Sequence, residues 1–193
     1  MTENTASSTL DQSELLHLAM HSSTAGHTGQ SIVYLKEAVS RPDASGSANF
    51  LLGAEYATIG MYDRALAQME AALVIDPTLA IARFQLGLLW LTSGNRESAT
   101  KTLEPLLELG SQEPLALFAQ GLLFLIQDRF EESLHCLQNG MELNKSNPAL
   151  NIDMQKIVDR IKHAMSANAG AKEEEAPQAE TQHVLMSAYA QKA

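Results

Sequence analysis

A glycine recurs at a fixed spacing through the middle of this chain. Gly53, Gly87 and Gly121 are 34 residues apart, and the segments around them align without gaps. An aromatic residue stands three positions before and three positions after each glycine, as Phe50 and Tyr56, Phe84 and Trp90, and Phe118 and Phe124. A small residue follows each glycine after twelve positions and a bulky apolar one after sixteen, as Ala65 and Met69, Ala99 and Leu103, and Ser133 and Leu137. Such a repeat predicts one supersecondary unit built three times in succession.

The spacing suits a pair of packed helices. A helical hairpin needs small residues where its helices cross, so each repeat glycine is expected to lie against the small residue that follows it. Gly60 and Gly94 supply the left-handed backbone that ends a first helix. Because one hairpin cannot bury its apolar faces alone, neighbouring hairpins are expected to stack.

These positions resemble the tetratricopeptide repeat, a 34-residue helix–turn–helix with the pattern W-x2-L-G-x2-Y…A-x3-F…P. A degenerate copy and three clear copies occupy residues 12–45, 46–79, 80–113 and 114–147. In the degenerate copy, Ser22 replaces the aromatic residue and Ser31 takes the small-residue place. The resemblance implies an all-α, tetratricopeptide-repeat solenoid of helical hairpins over residues 12–164.

The two ends of the chain differ from the repeats. Residues 1–11 are rich in Ser and Thr without periodicity and are predicted to be disordered. Residues 149–164 alternate an apolar stripe with charged residues, which predicts a C-terminal capping helix. Residues 165–193 are predicted to be a flexible acidic tail, in which a short terminal helix carries Val184, Leu185 and Tyr189 on one face.

Composition excludes several classes of protein. The 23 acidic and 13 basic residues give a net charge of −10, which argues against nucleic-acid binding. Aromatic residues make up 5%, too few for base-stacking platforms. The chain starts without basic residues or the apolar core of a secretory signal, and none of its apolar stretches is long enough to span a bilayer. A cytoplasmic protein without membrane insertion is expected.

Catalytic and metal chemistry find little support in the residues. His17 and His21 are four apart, but Leu18 stands where zinc hydrolases with paired helical His carry a Glu. The single cysteine, Cys136, excludes an internal disulfide. It follows His135, and adjacent residues on a helix point apart, so a packing role is predicted. We expect a non-catalytic protein with no cofactor and no metal site.

The resemblance also implies a concave groove, lined by the first helix of each hairpin, that binds an extended or helical peptide. Its side chains are mainly those three before, one after and four after each repeat glycine. The predicted groove residues are Phe50, Ala54, Phe84, Leu88, Leu91, Phe118, Leu122 and Leu125, to which the degenerate copy adds Leu16, Met20 and Ser23. None is charged, which excludes the carboxylate-clamp co-chaperones, whose grooves carry Lys, Arg and Asn.

The predicted helix 114–126 is apolar nearly all the way round, which is typical of a helix buried on all sides. Its face in the predicted groove should therefore be covered, because monomers rarely expose large apolar patches. Three coverings are open: a partner segment with apolar anchors, a second copy of the chain, or the chain's own tail through Val184, Leu185 and Tyr189. The alternative is that Phe118, Leu122 or Leu125 is ordinary core.

The leading prediction is a protein–protein interaction adaptor whose apolar groove binds a helical or extended segment of a partner. If so, Leu122→Glu abolishes partner capture and leaves the helices intact. Two alternatives stay open: a bacterial secretion-type chaperone that holds a hydrophobic client, and a self-associating assembly subunit.

Overall fold

The computed structural model describes residues 10–170, which form helices joined by short turns and contain no β-strand. The helices are α1 (Gln12–Thr24), α2 (Thr28–Val39), α3 (Gly46–Thr58), α4 (Tyr62–Ile75), α5 (Ala80–Thr92), α6 (Arg96–Leu103), α7 (Pro114–Ile126), α8 (Phe130–Leu143) and α9 (Pro148–Gly170). The predicted all-α class is confirmed. The chain divides into two compact units, one ending at Ala82 and the other beginning at Arg83.

The first unit contains the hairpins α1–α2 and α3–α4. Asp11 begins α1 with a capping box: its carboxylate accepts the Glu14 N–H at 2.8 Å, and its own N–H donates to the Glu14 carboxylate at 2.7 Å. Leu15, Ala38 and Ala48 form a buried cluster that joins α1, α2 and α3. Residues 12–45, where the repeat is least regular, thus contain a hairpin of the same kind as the clear copies.

The repeat glycines lie where the two helices of a hairpin cross. A Cβ at Gly53 would stand 2.8 Å from Met69 Cγ, one at Gly87 2.5 Å from Leu103 Cγ, and one at Gly121 2.8 Å from Leu137 Cγ. No real Cβ tolerates such distances, so any larger residue would push the helices apart. The spacing of 34 therefore records a packing requirement: each glycine receives the bulky apolar residue sixteen positions later.

The second unit contains α6, which is shorter than the second helices of the neighbouring hairpins. It ends at Leu103 and continues as a 3-10 segment, Glu104–Leu109. Pro105 has no N–H to donate to the carbonyl four residues earlier, so the α-helix cannot continue through it. Leu106 is nonetheless buried, at the repeat position that Ala72 occupies in the first unit.

A cluster of asparagines joins α8 to α9. Asn147 caps α9 by accepting the Leu150 N–H at 3.1 Å, and Asn144 Nδ2 donates to Asn151 Oδ1 at 2.7 Å. The sequence predicted that this helix ends at residue 164, but α9 continues to Gly170. The physical reason is that neither Gly nor Pro interrupts the chain between 164 and Gly170.

Two predicted segments fall outside the described residues. These are the N-terminal segment 1–11, apart from its last two residues, and the tail beyond 170 with its predicted docking face of Val184, Leu185 and Tyr189. Within residues 10–170, no helix combines the length and the apolar character that crossing a bilayer requires.

Candidate partner-binding site

Most of the predicted groove side chains are buried. The buried ones are Phe84, Leu88, Leu91, Phe118, Leu122 and Leu125. Phe84 and Phe118 expose none of their surface, and their ring centroids are 6.0 Å apart. Phe50 and Ala54, both on α3, are half-buried. The predicted side chains within reach of a partner therefore lie in the first unit, and a partner contact by the other six stays a prediction.

Phe118 packs inside its own hairpin. A Cβ at Gly140 on α8 would lie 2.6 Å from both Cδ1 and Cε1 of the Phe118 ring, so the ring fills the space that a side chain at 140 would need. The repeat pattern has a small side chain at this place, Ala72 in the first clear copy. Because residue 140 lacks even a Cβ, the ring turns inward. In this structure Phe118 is a core residue of the α7–α8 hairpin.

An open groove of about 270 Å³ lies among α1, α2 and α3, and we call it the α1–α3 groove. Its apolar lining consists of Ala19, Met20, Leu35, Leu51 and Ala54. Its polar lining consists of Ser23, Thr24, Ser31, Glu55 and Thr58. The sequence predicted Ala54, Met20 and Ser23 as groove residues. An apolar cleft with a few polar groups is the usual composition of a ligand-binding site.

Glu55 is the one charged residue in the lining of the α1–α3 groove. Only 7% of its surface is exposed, and its Oε1 accepts a hydrogen bond of 3.0 Å from Ser31 Oγ. Thr58, one turn along α3, donates its hydroxyl to the Ala54 carbonyl instead. The described part of the chain offers Glu55 no ion pair.

Sequence reasoning missed Glu55, because an acidic residue on an amphipathic helix is expected to face solvent. The available signal was Ser31, a polar residue in the buried small-residue place of the degenerate copy. Its partner is 24 residues away on another helix, so that signal could not identify Glu55 without the fold.

The other candidate residues do not form a reactive site. His17 and His21 are exposed on α1, and residues 10–170 hold no group of three His, Cys, Asp or Glu side chains suited to a metal ion. Cys136 is buried on α8 as a free thiol. Burial, followed by repulsion from the Glu132 carboxylate, raises the pKa of this thiol. A raised pKa disfavours the nucleophilic thiolate.

Similarity to known proteins is found at the level of structure. No protein-family model and no curated protein matches the sequence. MamA from Desulfovibrio magneticus RS-1 (residues 41 to the end) has a TM-score of 0.60 and 14% identity, over 94% of this chain and 92% of that chain. YrrB, described as a TPR protein with an unusual peptide-binding site, has a TM-score of 0.58 and 15% identity, over 94% and 86%.

A third similar structure is a tetratricopeptide repeat protein from Parabacteroides merdae ATCC 43184. It has a TM-score of 0.59 and 14% identity, over 93% of this chain and 84% of that chain. The helix order, the crossings at the repeat glycines and these three structures agree. The chain has the fold of the tetratricopeptide-repeat proteins.

Proposed function

We propose that this chain is a non-catalytic, cytoplasmic adaptor that binds a helical or extended segment of a partner protein in the α1–α3 groove. The observation that carries the proposal is the groove itself, an open, mainly apolar cleft of about 270 Å³. Its walls come from three helices of one compact unit, so the site is formed before a partner arrives. Pre-formed sites spare a partner the cost of ordering the receptor.

The size of the groove indicates how a segment would bind. Sites for whole small molecules are usually about 300–1,000 Å³, so this groove suits one or two anchoring side chains. The rest of the segment would lie over neighbouring apolar surface, including Met20, which is 56% exposed, and the half-buried Phe50. Each fully buried apolar anchor would contribute roughly 1.5–3 kcal/mol before ordering costs.

The similar structures support this mode of action through their fold. YrrB is described as having a peptide-binding site, and it shares the helical-repeat fold with this chain. The secretion-type chaperone and the self-associating subunit stay predictions. Both would also use an apolar surface, and the α1–α3 groove does not by itself favour either over an adaptor.

The proposal is tested by filling the groove. Ala54→Trp places a large side chain in the lining, whereas Ala67→Trp adds the same side chain at an exposed position of α4 outside it. The wild type and both variants are used for affinity capture from native extract, after circular dichroism has verified their folding. We expect a partner that the wild type and Ala67→Trp capture and Ala54→Trp does not.

Two outcomes would contradict the proposal. Equal capture by all three proteins would place the binding surface elsewhere on the chain. Capture of nothing but the chain itself, together with a mass in solution above that of a monomer, would favour the self-associating subunit.

A further inference from the structure

We infer that the α1–α3 groove takes a lysine side chain of the partner segment and holds its ammonium group against Glu55. The inference rests on the proposed function and specifies the chemistry of the partner. It assigns Glu55 the role of a specificity-determining residue.

The first argument is the state of the Glu55 carboxylate. It is 93% buried by the exposure of 7%, yet its one side-chain donor is the neutral Ser31 hydroxyl, at 3.0 Å from Oε1. An ionised carboxylate has room for about four hydrogen bonds. Burying one is unfavourable unless a cation or several donors compensate it. Residues 10–170 provide no such cation at Glu55, so one that enters from outside would be bound there.

The second argument is the way the groove leads to the carboxylate. Leu35 and Leu51 line the same groove as Glu55, so an entering side chain meets aliphatic walls as well as an acceptor. Lysine matches this sequence of surfaces, because its four-carbon stem packs on apolar groups while its terminal ammonium makes the polar contact. A shorter cation without a stem would leave the aliphatic walls uncovered.

The third argument favours lysine over arginine. Arginine is preferred where both carboxylate oxygens are free for a bidentate pair. Here Ser31 already donates to Oε1, which leaves a single favourable contact for a point charge. The net charge of −10 also favours a basic partner, because complementary charge raises the rate of encounter.

The test uses the full chain and a random peptide library displayed on phage. Peptides are selected in parallel on the wild type, on Glu55→Gln and on Glu70→Gln. Glutamine at 55 keeps the shape and an oxygen for Ser31 but removes the charge, and Glu70 is an exposed glutamate on α4 outside the groove. We expect one recurring lysine among apolar residues in the peptides selected by the wild type and by Glu70→Gln, and no such preference with Glu55→Gln.

A selected peptide is then measured by fluorescence anisotropy. Replacing its lysine by norleucine should weaken binding to the wild type about tenfold or more, and replacing it by arginine should weaken binding less. The norleucine replacement should change binding to Glu55→Gln little. This coupling does not depend on the stability of the variant, since the effect in the wild type comes from a change in the peptide alone.

The outcomes separate this inference from the proposed function. Selected peptides that are apolar without a preferred lysine, and that Ala54→Trp no longer binds, would keep the adaptor and overturn the role of Glu55. Failure to select any peptide would count against both. A synthetic peptide of residues 181–193, which carries Lys192, is measured as well. If it binds with Glu55-dependent affinity above that of the selected peptides, the occupant is the chain's own tail and the partner lysine is overturned.

Discussion

The ring of Phe118 on α7 lies over Gly140 on α8, so close that a Cβ at residue 140 would stand 2.6 Å from two of its ring carbons. The same hypothetical Cβ would lie 3.3 Å from Leu117 Cβ. The α7–α8 hairpin is thus closed by an aromatic ring packed on bare backbone. This contact explains why Phe118 has no exposed surface although its repeat position suggested a groove residue.

Gly140→Ala should therefore destabilise the chain. The added methyl group forces either the Phe118 ring or the α8 backbone to move, and overpacking of this kind costs typically 1–3 kcal/mol. The measurement is the midpoint of urea unfolding followed by circular dichroism. Gly29→Ala is the control, because a Cβ at Gly29 on α2 would meet no atom within 4 Å. A loss of stability in the control as large as in Gly140→Ala would mean that the contact with Phe118 is not the cause.

The hydrogen bond between Ser31 and Glu55 should stabilise the first unit. Ser31→Ala removes the donor and leaves a nearly buried carboxylate oxygen without a partner, which costs roughly 1–3 kcal/mol. Urea unfolding measures the loss, with Ser23→Ala in the same groove as a control at an exposed position. Combining Ser31→Ala with Glu55→Leu should recover most of the loss, because then neither partner is left unsatisfied. An unchanged midpoint in Ser31→Ala would show that the hydrogen bond contributes nothing to stability.

The turn inside each hairpin contains a residue with positive φ, and the fourth differs from the others in kind. The values are +78° at Gly26, +76° at Gly60, +81° at Gly94 and +59° at Asp128, again 34 residues apart. Asp128→Ala and Asp128→Gly both remove the aspartate side chain and its exposed 4.0 Å ion pair with Arg96. They differ in the backbone, because alanine is strained at positive φ and glycine is not.

We therefore expect Asp128→Ala to be less stable than Asp128→Gly by about 1 kcal/mol. Thermal unfolding of the two variants side by side measures this difference without reference to the lost ion pair. Equal stabilities would show that the turn between α7 and α8 relaxes away from positive φ.

The fold was accessible from the sequence because its spacing reports local packing. Gly53 and Met69 are 16 residues apart and touch within one hairpin, and the same contact recurs in the next two repeats. Two helices and a short turn determine it, so no knowledge of distant parts of the chain is needed. Ends were less accessible: α9 passes residue 164 because nothing in that stretch stops a helix, and a change in composition alone suggested a boundary.

The site was less accessible because it depends on departures from the repeat. Groove positions were assigned from the family pattern, and one deviation, Gly140, is enough to turn Phe118 into the hairpin core. Glu55 is buried because Ser31, another deviation, provides a hydroxyl on α2 at 3.0 Å. Both effects are contacts between helices, whose geometry a pattern averaged over many repeats does not contain.

The Cys136 thiol should react slowly in the native state. Burial, and then the Glu132 carboxylate, raise its pKa, so the thiolate fraction at pH 8 is below that of a free cysteine. We expect reaction with Ellman's reagent to be at least about tenfold slower in buffer than in denaturant. Glu132→Gln removes the repulsion, lowers the pKa of the thiol and should raise the native rate modestly at a given pH. Equal rates with and without denaturant would contradict the burial of Cys136.

Burial also changes what a charged substitution at Leu122 should do. The sequence alone predicted that Leu122→Glu abolishes partner capture with the fold intact, but Leu122 exposes 0% of its surface. Placing a carboxylate there without a partner is expected to lower the free energy of unfolding by about 4 kcal/mol or more. Ala54→Glu is the matched variant, since Ala54 also follows a repeat glycine but is half-buried in the α1–α3 groove. Urea unfolding should show a large loss for Leu122→Glu and a small one for Ala54→Glu. A folded Leu122→Glu with the midpoint of the wild type would show that this side chain reaches solvent, and would return α7 to the candidate binding surface.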